Sequence, residues 1–172
     1  MKLYSAKVPI IARDIIRQLT SAGQIEVTDV EEAELDIQSV LKEYIRRDRE
    51  LTEAAKDVIE KRGLSHGQFG KVKRMLADQR KHGLGEEGII WMCGQISETF
   101  MQSKFIEEIF ATDVELRKSM TEILRRHMMV DEELDEEVRA KIRNLQEGTS
   151  SWDVEYAKVM EQIKRRRGLA SD

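Results

Sequence analysis

The chain has 172 residues, 36% of them charged and only 5% aromatic, with one proline and a formal net charge of -4. That size suits one domain or two small ones, and the mix of many charges with few aromatics favours helices over sheet. Mild acidity excludes a surface wholly given to nucleic acid, and a lone cysteine, Cys93, excludes an intramolecular disulfide and points to a reducing compartment.

In chain order, MKLYSAKVPIIARD meets Arg13 and Asp14 too early to be a secretory signal. No stretch approaches the roughly 18 consecutive apolar residues of a membrane span, so the expected setting is the cytoplasm. Pro9 suits the first turn of a helix, where its missing N–H costs nothing. Ile11, Ile15, Ile16 and Leu19 follow at helical spacing, and Gly23 fits a C-terminal cap. Gln24 to Val27 reads as a short extended connector or a single bridge of strand.

Thr28-Asp29-Val30-Glu31 fits a capping box that opens a long helix to Arg62. Its seam is Ala33, Ile37, Val40, Leu41, Tyr44, Ile45, Leu51, Ala55, Val58 and Ile59, a narrow stripe that faces a core or another helix. Unbroken, this helix is on the order of 50 Å long. Asp48 interrupts the seam, and Gly63-Leu64 fits a Schellman stop. Ser65 to Gln68 offers a further capping box, and Phe69, Val72, Met75 and Leu76 mark the next helix to a second Gly-Leu stop at Gly83-Leu84.

The pattern then restarts at Glu86. Ile89, Met92, Cys93, Ile96 and Phe100 form a helical stripe, and FIEEIF after it reads as helical turn or connector. Thr112-Asp113-Val114-Glu115 repeats the earlier box letter for letter. A seam of Leu116, Met120, Ile123, Leu124, Met128, Leu134, Val138, Ile142 and Leu145 runs behind it to Gly148. Ser150 to Asp153 can cap a last helix carrying Trp152, Tyr156, Val159 and Ile163, which closes on Arg167-Gly168-Leu169.

Laid over each other, the halves match beyond the cap. Val40-Leu41 falls on Ile123-Leu124, Asp48 on Asp131, Leu51 on Leu134 and Ile59 on Ile142, and Phe69 and Leu76 correspond to Tyr156 and Ile163. The expected fold is therefore all-α: about six helices as a tandem duplication of a three-helix unit, with at most a vestigial two-stranded bridge. The repeats would be 1–85 and 86–172, as two units or one fused domain. Where the first copy has Arg46 and Arg47, the second has Met129 and Val130, which widens its apolar face. That face is either a contact between the units or a partner surface.

The opening MKLYSAKVP, the runs ELDIQSVLKEY and GQFGKVKR, and the closing EGTSSWDVEYAKVMEQIKR resemble a bacterial family known only as a domain of unknown function. The resemblance covers essentially the whole chain. It implies a bacterial cytosolic protein and brings no activity, ligand or active-site residue.

The residues offer little chemistry. Gly63-Leu64-Ser65-His66-Gly67 matches the nucleophile elbow of α/β-hydrolases in form, but a helix precedes it where the elbow needs a strand, so Ser65 reads as an N-cap. His66, His82 and His127 lack an acidic residue three positions earlier, as a bundle di-metal site would require, and His127 on the seam reads as partly buried and hydrogen-bonded. No CxxC, P-loop or dinucleotide fingerprint occurs, so no cofactor or metal is expected. The acidic run Asp131 to Glu137 reads as a solvated helix face. Asp48 and Asp131 read as structural, capping or kinking their helices or pairing with an arginine across the seam, because an unpaired buried carboxylate is costly; a paired acidic feature at a pseudo-two-fold is the alternative.

Lys71, Lys73, Arg74, Arg80 and Lys81 follow a tight turn and loosely resemble a helix-turn-helix, while Lys164, Arg165, Arg166 and Arg167 end the other copy. Against that, Arg62 stands where the first helix of such a motif is apolar, and cations suit helix C-termini anyway. The sequence thus leads to a non-enzymatic helical interaction protein, with Met129 and Val130 as the candidate partner surface. An RNA- or DNA-associated factor using the basic helices is the alternative.

Overall fold

A computed structural model describes residues 2–167, except for the side chains of residues 130 and 131. Six α-helices and a two-stranded sheet follow in the order α1 (Val8–Ser21), β1 (Ile25–Val27), α2 (Val30–Arg62), α3 (Phe69–Arg80), α4 (Glu86–Gln102), β2 (Ile106–Ile109), α5 (Asp113–Lys141) and α6 (Ser150–Arg166). The fold is all-α with one small bridge, as the periodicity predicts. The succession helix, strand, long helix, helix occurs twice.

Internal contacts gather the chain into two compact units. The first holds Met1–Asp48 with His82–Met129, and the second holds Arg49–Lys81 with Val130–Asp172. Each unit therefore takes one segment from each sequence half. In the first unit, α1, β1 and the leading part of α2 bury Ile11, Ile15, Leu19, Ile37 and Leu41 with Ile89, Met92, Ile96, Leu116 and Met120 of α4 and α5. Each such side chain contributes about 1.5–3 kcal/mol by leaving water. In the second, Ala55 and Ile59 of α2 pack with Phe69 and Val72 of α3.

Helix ends show how local sequence sets these boundaries. At the end of α1, Gly23 (φ 68°) closes a Schellman pair: Gln24 N–H bonds Leu19 O at 2.9 Å and Gly23 N–H bonds Thr20 O at 3.0 Å. The end of α2 repeats it, with Leu64 N–H on Ile59 O at 3.0 Å and Gly63 N–H on Glu60 O at 3.3 Å.

The FIEEIF segment is a strand and not a helical turn. β2 pairs antiparallel with β1, placing Ile25 opposite Ile109, Glu26 opposite Glu108 and Val27 opposite Ile106. The register shifts between Glu26 and Val27, so Glu107 is the extra residue of a bulge. Ile25 and Ile106 turn into the core, which ties the ribbon to the helices.

The two TDVE boxes also differ, contrary to their identical letters. Thr112 closes the full reciprocal box: its hydroxyl accepts from Glu115 N–H at 3.2 Å, and Glu115 accepts from Thr112 N–H at 2.9 Å. Thr28 does not cap α2. Its N–H and hydroxyl both donate to Phe105 O, at 2.9 and 3.2 Å, and lengthen the ladder. Asp29 is the cap, accepting from Glu32 N–H at 3.1 Å. The reason is register: with Leu41 laid over Leu124, Asp29 and not Thr28 falls on Thr112.

Three expected helix ends move as well. The third helix ends at Arg80, before Gly83-Leu84, because Lys81 takes the left-handed conformation (φ 52°). Gly83 serves a close approach instead, since a Cβ there would lie 2.6 Å from the Glu87 carbonyl carbon. The second long helix stops at Lys141, which leaves Leu145 and Gly148 in the following loop. The last helix is capped by Thr149, one residue before Ser150, through a 3.2 Å bond from Trp152 N–H. Gly168 and Leu169 lie outside the described residues.

Candidate functional site

The side chains nominated by sequence divide into engaged and open ones. Met129 is 51% exposed on α5, while the Val130 side chain lies outside the described residues. On α3 and its C-cap, Lys71, Arg80 and Lys81 are exposed, Lys73 is half-buried, and Arg74 pairs with Asp78 at 3.4 Å. At the end of α6, Lys164 is half-buried and Arg165 pairs with Glu161 at 2.5 Å. Arg166 and Arg167 share Glu137, the latter at 2.5 Å. The C-terminal basic cluster is thus largely neutralised from within.

The other singled-out residues take structural positions. Ser65 caps a short 3-10 turn by accepting from Gly67 N–H at 3.2 Å. His127 is half-buried, with Nε2 2.8 Å from Asp14 Oδ2, and Arg17 and Arg126 approach the same carboxylate at 3.0 and 3.3 Å. Burial opposes ionisation of Asp14, but hydrogen bonds from His127, Gln18 and Arg17 outweigh it and hold its pKa below the ordinary value. Cys93 is buried 3.5 Å from the Thr121 hydroxyl, and burial pushes its thiol pKa up, which disfavours the nucleophilic thiolate. Among the described residues, no group of three or more His, Cys, Asp or Glu could hold a metal ion.

A second cluster of the first unit surrounds Asp48, which meets a histidine of the segment after α3. His82 Nε2 lies 3.6 Å from Asp48 Oδ1. The His82 ring stacks on Tyr44 at 4.9 Å, and the Tyr44 hydroxyl donates to Gly83 O at 2.9 Å. Burial, and then the Asp48 charge, push the Tyr44 pKa above its usual value. Gly88 makes room for that hydroxyl, since a Cβ there would approach it to 2.3 Å. Asp131, the matching residue of the other half, has its side chain outside the described residues.

In the second unit, the closing motif folds into a clasp. Glu147 accepts twice from the Arg139 guanidinium, at 2.9 and 3.1 Å, and Asp135 accepts a third bond at 2.7 Å. The same guanidinium lies over the Trp152 ring at 5.1 Å, and Trp152 stacks on Tyr156 at 4.8 Å. The Tyr156 hydroxyl donates to Asp135. Gly148 (φ 91°) sets the turn, with its missing Cβ 3.1 Å from the Phe69 ring. The residues that carry the sequence resemblance therefore close α5 onto α6. Residues 1–169 match the model of a family described as "Protein of unknown function (DUF507)".

The chain belongs to this family. None of the curated proteins compared with it matches. For this DUF507 chain, the bidentate clamp, cap, stacked rings and glycine turn account for Glu147, Gly148, Thr149, Trp152 and Tyr156 as fold-forming residues. No described helix is long and apolar enough to cross a membrane.

What remains open includes part of the surface of the first unit. Ile90, Met101, Phe110, Val114 and Met129 are large apolar side chains that the core does not absorb. Only Met129 among them was marked by sequence as a partner surface. Phe110 was hidden because FIEEIF satisfies a helical turn as readily as a strand until its partner strand is known.

Proposed function

We propose that this DUF507 protein is a non-enzymatic helical module that acts by binding a protein partner in the bacterial cytoplasm. One observation supports the reading: in a single compact unit, Ile90, Met101, Phe110, Val114 and Met129 each stand about half exposed or more. Aromatic and methionine side chains are enriched where protein surfaces meet, and their cost in water is recovered by docking. Met129, continued in sequence by Val130, is the contact first nominated, and the reading calls for no cofactor or metal.

Nucleic-acid binding is the alternative, favoured by the nine Lys/Arg against five Asp/Glu in residues 49–81. The ion pairs of Arg74, Arg165, Arg166 and Arg167 weigh against it, because a phosphate must displace a carboxylate at each. Tagged protein recovered from its host at low salt separates the two. A stoichiometric protein partner, reduced by Met129→Glu, supports the first reading. A high ultraviolet absorbance ratio that nuclease removes, and that charge reversal at Lys71, Lys73 and Arg74 abolishes, supports the second.

A further inference from the structure

The outward face of the β1–β2 ribbon carries charge that the fold itself does not use. Glu26 stands directly opposite Glu108, Glu107 bulges beside them, and all three are exposed. Like charges opposite each other in an antiparallel pair destabilise it. Among the described residues, none of the three side chains has an ion-pair or hydrogen-bond partner. Neighbouring acids differ. Asp29 caps α2, Glu115 completes the box of α5, and Asp113 accepts from Ser97 at 2.5 Å and Arg117 at 2.6 Å.

The same face ends in an exposed aromatic. Phe110 N–H bonds Gln24 O at 2.8 Å and continues the ladder, so Phe110, two residues beyond Glu108, lies on the same side. It is 62% exposed, and Val114, 77% exposed, follows in the first turn of α5.

We infer that this face docks a cationic segment of a partner protein, a stretch of Lys or Arg carrying at least one apolar side chain. Charge complementarity identifies the occupant. A cation seated between Glu26 and Glu108 converts a repulsive pair into two attractive contacts, and Phe110 supplies both an apolar anchor and a ring face for the cation. The inference rests on the partner-binding reading above, and it assigns that partner a surface and a charge.

A labelled 12-residue peptide of alternating lysine and valine with a central phenylalanine tests it, by fluorescence anisotropy on the full chain. Two controls replace every lysine with glutamate, or every apolar residue with serine. The cationic apolar peptide should bind at least about tenfold more tightly than either control. Glu26→Gln with Glu108→Gln should weaken it about tenfold, as should Phe110→Ser. Glu108→Lys should abolish binding and yet raise Tm by about 1–3 °C, because it pairs with Glu26; a merely structural ribbon would not separate those readouts.

Absent binding, equal binding by the serine control, or equal binding by the variants would overturn the inference. So would a dimer of the wild-type chain that Glu108→Lys dissolves, which would make a second copy the occupant. A host partner retained by Glu108→Lys would remove this face while the broader reading stands. Peptide binding intact, with no protein partner recovered from the host, would remove the broader reading instead.

Discussion

Asp14 gathers His127, Arg17 and Arg126 around one carboxylate, and its pKa lies below the ordinary 3.8 because hydrogen bonds from His127, Gln18 and Arg17 outweigh the cost of burial. A carboxylate depressed in the folded state contributes stability above its unfolded pKa and loses it as pH falls through the folded value. Asp14→Asn should therefore lower unfolding free energy by about 1–2 kcal/mol at neutral pH, with the deficit shrinking below about pH 4. Urea titrations at pH 7 and pH 3 compare the two; an equal deficit at both would assign the cost to packing. His127 was legible as a partly buried, hydrogen-bonded residue from its place on the seam. Its partner was not, because Asp14 lies 113 residues earlier, and nothing local links α1 to α5.

At the level of elements, helices were legible wherever one apolar face repeats, since that face alone decides burial. Boundaries followed where glycine and the next residue combine, as at Gly23-Gln24 and Gly63-Leu64, and where Thr112 closes its capping box. They moved where a tertiary contact competed: Thr28 gives its donors to the strand ladder, and Gly83 meets the start of α4. The strand of FIEEIF needed a partner 79 to 84 residues away in sequence before its alternation meant anything. The caps give a direct measure of this competition. Thr112→Ala should cost about 1 kcal/mol, and Asp29→Ala a similar amount, while Thr28→Ala should cost less than half as much. Denaturant midpoints at constant slope check the ranking. A Thr28→Ala loss equal to that of Thr112→Ala would restore matched capping boxes.

For the whole molecule, the sequence halves and the compact units divide the chain differently. A cut between 85 and 86 separates β1 from β2 and parts Ile11, Ile37 and Leu41 from Ile89, Met92 and Leu116. It also separates Phe69 from Gly148 and Lys56 from Asp153, which pair at 3.0 Å. Each large apolar side chain returned to water costs about 1.5–3 kcal/mol, whereas a domain of this size has only about 5–15 kcal/mol in all. Loss of contact for a handful of core residues is enough to unfold either piece. Fragments 1–85 and 86–172 should each lack a cooperative thermal transition, and mixing them at equal concentration should restore helical circular dichroism and one transition. Cooperative melting of either fragment alone would instead make the sequence repeats the folding units, with the compact units assembled from them afterwards.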